Sequence, residues 1–153
     1  MTPVRPDAPV ALTLGDPDGI GPEISARAWN ALRADGPGLV LYGREDIARR
    51  ACALAGAPEP ILGRPEEVCA HAPVLVPVDT RLDGAASAIA ALELALADAR
   101  AGAVCALATA PISKARAYAA GFRHPGHTEF LADAVADLPF TGPRGPVMML
   151  AAP

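Results

Sequence analysis

Lysine is almost missing from this 153-residue chain: twelve of its thirteen basic residues are arginine, and the remaining one is Lys114. Aromatic residues are scarce as well, at 4%, so close packing of small side chains between helices and a sheet is expected in place of a core of large rings. Cysteine occurs three times, at Cys52, Cys69 and Cys105, without any C-x-x-C spacing. That excludes a zinc knuckle and a disulfide framework, and fits buried thiols in a reducing compartment. The most hydrophobic long stretch, 84–110, carries Glu93, Asp98 and Arg100, which argues against a membrane span. The N-terminus is interrupted by prolines and has no cleavage-like site, so no export signal is read there and a cytoplasmic location is expected. An excess of positive charge is lacking too. The net charge of -4 and pI near 5.3 argue against a nucleic-acid surface, and an anionic ligand would need local positive groups to overcome the overall field.

What is present is a soluble globular composition, 52% hydrophobic and 20% charged, of a length suited to one domain. Short apolar runs alternate with helical patterns. VALTL (10–14) predicts a strand. The segment from Pro22 to Gly36 predicts a helix burying Ile24, Ala28, Ala31 and Leu32. LVLY (39–42) predicts a second strand and 44–56 a second helix stopped by Gly56. An irregular proline-rich stretch follows, and then VLVPV (74–78), expected at a sheet edge because Pro77 cannot donate to a ladder. The longest helix is predicted over 84–102, with Ile89, Leu92 and Leu96 on its buried stripe. AVCALAT (103–109) reads as a parallel strand covered on both faces. SKARAYAAG, TEFLADAVADL (128–138) and PVMMLA (146–151) predict two more helices and a last strand. The succession points to an α/β fold layered on a mostly parallel sheet. Because the last predicted strand is followed by no covering helix, the chain is expected to be the front part of something longer.

Ligands of parallel sheets gather at the carboxyl ends of strands, and three loops belong there. GDPDGIGPE (15–23) offers Gly19 and Gly21 for close approach of a ligand, but Ile24 stands where G-x-G-x-x-G requires a third glycine, so it is no standard dinucleotide fingerprint. The bland reading is a tight turn capped by Asp16 or Asp18. In ATAPISKA (108–115), Ser113 can cap a helix and Lys114 lies in its first turn, where the helix dipole favours acids over a lysine. Holding a phosphate or carboxylate is one explanation, and a solvated surface lysine is the other. In RHPGHTEFL (123–131), Gly126 permits a sharp turn, Thr128 can cap a helix and Glu129 suits its positive end. His124 and His127 alone fall short of a metal ligand set, and His71 lies in an unrelated segment. An imidazole beside a hydroxyl at a helix start is better suited to hydrogen-bonding an oxyanion.

GDPDGIGPE, ATAPISKA, PGHTEFLA and VMMLA, in this order and spacing, resemble the 4-hydroxythreonine-4-phosphate dehydrogenases. The resemblance implies an isocitrate/isopropylmalate dehydrogenase-like α/β fold in a homodimeric enzyme. It implies NAD-dependent oxidation of 4-phosphooxy-L-threonine (4-hydroxythreonine 4-phosphate), assisted by a divalent metal, followed by decarboxylation, in pyridoxal phosphate biosynthesis. Carried over to this chain, it makes His127 and Thr128 substrate contacts and gives His124 no role, leaving it as a solvated loop residue. Lys114 matches the lysine of the P-x-x-K segment, and its anion-binding role is inferred from its charge and placement. The family's metal-binding histidines and most of its cofactor site fall in segments after VMMLA, so residues 1–153 are expected to hold the N-terminal part, without metal ligands and inactive alone. Asp18 departs from the family's G-[DE]-P-A-G-I-G-P-[DE]. A carboxylate there would repel a phosphate, which leaves open a sister dehydrogenase of phosphorylated threonate or erythronate. A non-catalytic anion-binding or subunit-pairing domain is a third reading.

Overall fold

The computed structural model describes residues 7–138 together with 147, 149 and 150. Five strands form one sheet: β1 (Val10–Thr13), β2 (Leu39–Gly43), β3 (Ile61–Leu62), β4 (Val74–Pro77) and β5 (Ala106–Thr109). Their order is β3-β4-β2-β1-β5, and every pairing is parallel. Five α-helices accompany them: α1 (Gly21–Leu32), α2 (Glu45–Ala55), α3 (Gly84–Ala101), α4 (Lys114–Ala119) and α5 (His127–Ala134). The expected α/β architecture is therefore present.

Strand alternation divides the core between two faces. Leu12, Leu39, Leu41 and Leu75 pack with Ala26 and Trp29 of α1 and with Ala48, Ala51 and Cys52 of α2. The residues between them, Ala11, Val40, Tyr42 and Val74, pack with Ala91 and Ala95 of α3. Connection handedness explains the division. From β1 through β2 towards β4 the chain advances one way along the sheet, so right-handed crossovers put α1 and α2 on one face. From β4 it returns past β1 to β5, which places α3 on the other. Tyr42 is fully buried on the α3 side, and its hydroxyl donates to Asp98 Oδ2 at 2.7 Å. Burial, and then this carboxylate, push the phenol far above its ordinary pKa.

Several expectations are corrected. The face α1 buries is Pro22, Ser25, Ala26 and Trp29, whereas Ile24 and Leu32 are 44% and 42% exposed and Ala31 is exposed. Trp29, the largest side chain of the helix, is turned inward at 1% exposure, and Ser25 and Ala26 are small enough to let α1 lie close to α2. β4 is not an edge strand, because the proline-rich stretch supplies β3 beside it. Val78 N–H donates to Gly43 O and Gly63 N–H to Leu75 O, so odd residues of β4 face β3. The missing N–H of Pro77 thus points where the two-residue β3 has already ended. β5, expected to be covered on both faces, is the opposite edge among the described residues, with Ala106 and Ala108 exposed. On the long helix, Leu92 is buried as expected, and Ile89 and Leu96 are only partly so. Helix α5 starts at His127, one residue before the expected helix, and ends at Ala134. The strand expected over 146–151 lies outside the described residues apart from Val147, Met149 and Leu150, which are exposed.

α1 begins against the end of β1 with almost no clearance. A Cβ on Gly21 would stand 2.3 Å from the Leu14 carbonyl oxygen and 2.9 Å from the Ala110 methyl. Neither neighbour is a flexible side-chain tip. Gly21→Ala is therefore expected to cost at least about 2 kcal/mol of stability. Urea denaturation checks this, and a variant as stable as the parent would refute it.

Candidate functional site

β1 and β5 lie side by side, with Thr13 opposite Thr109, and their continuations leave towards different faces. This is the point where strand order reverses, the crevice in which ligands of open parallel sheets gather. Here the two continuations are bonded to each other. Ala110 N–H donates to Thr13 O at 3.3 Å, and Asp16 N–H donates to Pro111 O at 3.1 Å. Gly15, at φ +68°, makes the turn, and a Cβ there would lie 2.5 Å from Pro111 O. The close approach expected of a ligand at Gly21 is thus made by the chain itself. Gly19 is less restricted, its nearest clash being Asp16 O at 3.3 Å.

The expected capping of α1 by Asp16 or Asp18 is not observed: its N-cap is Ile20, without a side-chain hydrogen bond. Asp16 is buried to 3% side-chain exposure, and its Oδ2 lies 2.8 Å from Arg116 Nη2. The contact is ionic without hydrogen-bond alignment, since that oxygen has no directed partner. The other Asp16 oxygen accepts from Asp18 N–H at 3.1 Å. Asp18 Oδ2 in turn accepts from Arg116 Nη1 at 2.8 Å. Arg116 thus holds both carboxylates of the glycine turn from a helix 98 residues away in sequence. The sequence reading missed it, because nothing distinguishes it among twelve arginines.

Ser113 caps α4 as expected, its hydroxyl accepting from Arg116 N–H at 3.5 Å. Lys114 is the first residue of that helix and is exposed. Buried Ala117 seats α4 beside Ala85 and Phe122. After the turn at Gly121, the rings of Phe122, His124 and Phe130 cluster in tilted and edge-on arrangements with centroids 5.3–5.6 Å apart. His124, expected in a solvated loop, is part of that cluster and lies 3.4 Å from Asp133. The chain then enters α5 through Gly126, which is the N-cap in place of the expected Thr128 and makes no side-chain cap bond.

Between α4 and the start of α5 is a cavity of about 160 Å³ lined by Lys114, Ala117, Tyr118, Phe122, His124 and His127, among others. Two of the three expected substrate residues, Lys114 and His127, therefore share one cavity. Thr128 is exposed and is not part of that lining. Burial holds His127 below the usual imidazole pKa, so it is neutral at neutral pH and keeps one N–H to donate. An ammonium and a neutral imidazole on a largely apolar wall suit an anionic group with an adjacent oxygen. Among the described residues no three histidine, cysteine, aspartate or glutamate side chains gather as a metal site would require.

The strand order, the two covered faces and the reversal beside β1 define an open parallel α/β protein, and its likeness to solved dehydrogenases assigns it the isocitrate/isopropylmalate dehydrogenase-like fold. Comparison with known proteins agrees. Residues 40–153 match the family model "Pyridoxal phosphate biosynthetic protein PdxA", and the chain belongs to that family. The 4-hydroxythreonine-4-phosphate dehydrogenase of Caulobacter vibrioides is 44% identical over 94% of this chain and 46% of its own length. That of Maricaulis maris is 41% identical over 94% of this chain and 47% of its own. The chain thus spans about half the length of these curated relatives. The crystal structure of the Klebsiella pneumoniae enzyme of that name superposes with a TM-score of 0.69 at 31% identity, over 84% of this chain and 45% of that one. A terephthalate 1,2-cis-dihydrodiol dehydrogenase from Burkholderia xenovorans gives 0.59 at 30% identity, over 84% and 40%.

The depressed pKa of His127 has a definite sign in stability. The folded chain resists protonating this ring, whereas the unfolded chain takes up the proton near 6.5. Its contribution is therefore complete above that value and declines as pH falls below it. An NMR titration is expected to place the His127 midpoint below 6.5, and His127→Gln should lose less stability than the parent on acidification from neutrality. A midpoint above the ordinary value would contradict the assigned burial.

Proposed function

We propose that this chain carries part of the substrate-binding wall of an NAD-dependent, divalent-metal-requiring dehydrogenase. The reaction is oxidation of the secondary alcohol of 4-hydroxythreonine 4-phosphate, with loss of carbon dioxide from the resulting keto acid, in pyridoxal phosphate biosynthesis. The observation that carries this reading is the placement of Lys114 and His127 on one cavity between α4 and α5, beyond the carboxyl end of β5. The Lys114 ammonium would meet an anionic group of the substrate, and the neutral His127 imidazole would donate to an oxygen beside it. Thr128, one residue further along α5, is proposed as a second contact on the family resemblance. Residues 1–153 correspond in this reading to the N-terminal part of the enzyme, which works as a homodimer in the cytoplasm.

The residues described do not fit either cofactor. No three metal donors gather among them, and Gly21 of the turn after β1 is closed against Leu14 and Ala110, leaving no open cradle for a pyrophosphate there. NAD and the metal supply the hydride acceptor and the polarising charge when bound. No step through either is assigned to residues of this chain, whose part is to bind and orient. Asp18 had suggested a phosphorylated threonate or erythronate as substrate. Its carboxylate is paired with Arg116 and lines a different concavity from Lys114 and His127, so it gives that alternative no direct support at the cavity. The non-catalytic reading draws on no observation of its own.

Two measurements test the proposal. In a protein of the relatives' full length, Lys114→Ala should raise KM for phosphorylated hydroxythreonine by about tenfold or more, as loss of a charge-assisted hydrogen bond does. Assay of the same protein with phosphorylated threonates separates the sister activity, and unchanged KM and kcat would leave Lys114 a surface residue. Residues 1–153 alone should reduce no NAD with any divalent metal, and measurable turnover would overturn the assignment of metal and cofactor groups to other segments.

A further inference from the structure

Helix α4 is a partition between two concavities. Lys114, Ala117 and Tyr118, spaced by three and four, line the cavity shared with His127. Arg116, Ala119 and Ala120 line a larger, open concavity on the other side. With only six residues, α4 has little intrinsic persistence, so its rotation about its own axis depends on what grips it. Buried Ala117 is a single methyl. The stronger grip is on the far side, where Arg116 reaches the buried Asp16 and the exposed Asp18, both at 2.8 Å. Asp16 belongs to a turn that is itself fixed to the sheet through Pro111 O and the Gly15 and Gly21 contacts.

We propose that Arg116 is a positioning residue, whose two-carboxylate clamp on the turn after β1 sets the rotation of α4 and so holds Lys114 at the anion cavity. The inference rests on the reading of that cavity as a substrate site. Lys114 and Arg116, two apart, lie on opposite sides of the helix. One guanidinium therefore orients the other cation without touching the ligand. The planar fork of arginine can meet two carboxylates at once, which a single ammonium cannot do in the same geometry. Removing it leaves the buried Asp16 carboxylate uncompensated, the costly way to break such a pair.

The test uses the 153-residue chain with inorganic phosphate as the probe, followed by calorimetry and by hydrogen exchange of the α4 amides. The parent is expected to bind phosphate and Lys114→Ala to lose that binding. Arg116→Ala should weaken phosphate binding about fivefold, in the range of couplings within one charge network, and should speed exchange across Lys114–Ala119 with α3 unchanged. Asp16→Asn separates positioning from plain electrostatics. It removes a negative charge, so a purely electrostatic role for the network predicts tighter phosphate binding, whereas the clamp predicts weaker binding. Asp18→Ala, at an exposed position, repeats the sign test if the buried substitution unfolds the chain. Tighter binding in either aspartate variant, or α4 exchange unchanged in Arg116→Ala, overturns the clamp while leaving the cavity assignment intact. Failure of the parent to bind phosphate overturns the cavity assignment, and the clamp's role in binding with it.

Discussion

Where the strand order reverses, two loops must separate towards opposite faces of the sheet and yet close the gap between their strands. This chain meets the requirement through backbone contact. Gly15 and Gly21 have no side chain to hold the β1 continuation away from Ala110 and Pro111, and a hydrogen bond from Asp16 N–H to Pro111 O joins the two. Unpaired buried backbone groups are expensive, so the contact also satisfies polar atoms that the diverging strands would otherwise leave open. The starting position of α4, and with it that of Lys114, follows from this junction.

Charge is distributed around the junction in a way the overall composition conceals. The chain is acidic, and the turn after β1 carries two carboxylates. Arg116 meets both and compensates part of their charge, and the three groups lie across α4 from the cavity where Lys114 stands with the neutral His127. Each group's environment sets its part. Asp16 is buried and is met by Arg116, His127 is half-buried and its burial favours the neutral ring, and Lys114 is exposed and remains available. An anion arriving at the cavity would meet a positive group without an acidic one in the same lining.

The sequence disclosed the layered α/β plan because the period of its apolar residues changes with the element. It disclosed less about which face each helix buries. Ile24, Ala31 and Leu32 form a convincing stripe, but the fold turns Trp29 inward instead, and a periodicity count gives every apolar residue the same weight. It misjudged the edges of the sheet because edge position is a property of neighbours: the two residues of β3 moved β4 inward, and no strand among the described residues lies beyond β5. Of the candidate site, Lys114 was singled out by its residue type and local setting and His127 as a substrate contact by the family resemblance, and the fold brings the two to one cavity. Thr128 was placed at the cap that Gly126 takes, and His124 was set in solvent although two phenylalanines enclose it.

The sequence alone determined the elements and the chemically unusual residues, since helix stops, strand runs and a solitary lysine are local properties of composition and spacing. Only the tertiary structure decided that Arg116 serves Asp16 and Asp18, and that Lys114 and His127 meet at one cavity. The physical reason is distance along the chain. A charge pair whose members are 98 residues apart leaves no periodic trace, and it exists only after parallel strands have brought their carboxyl ends to the same rim.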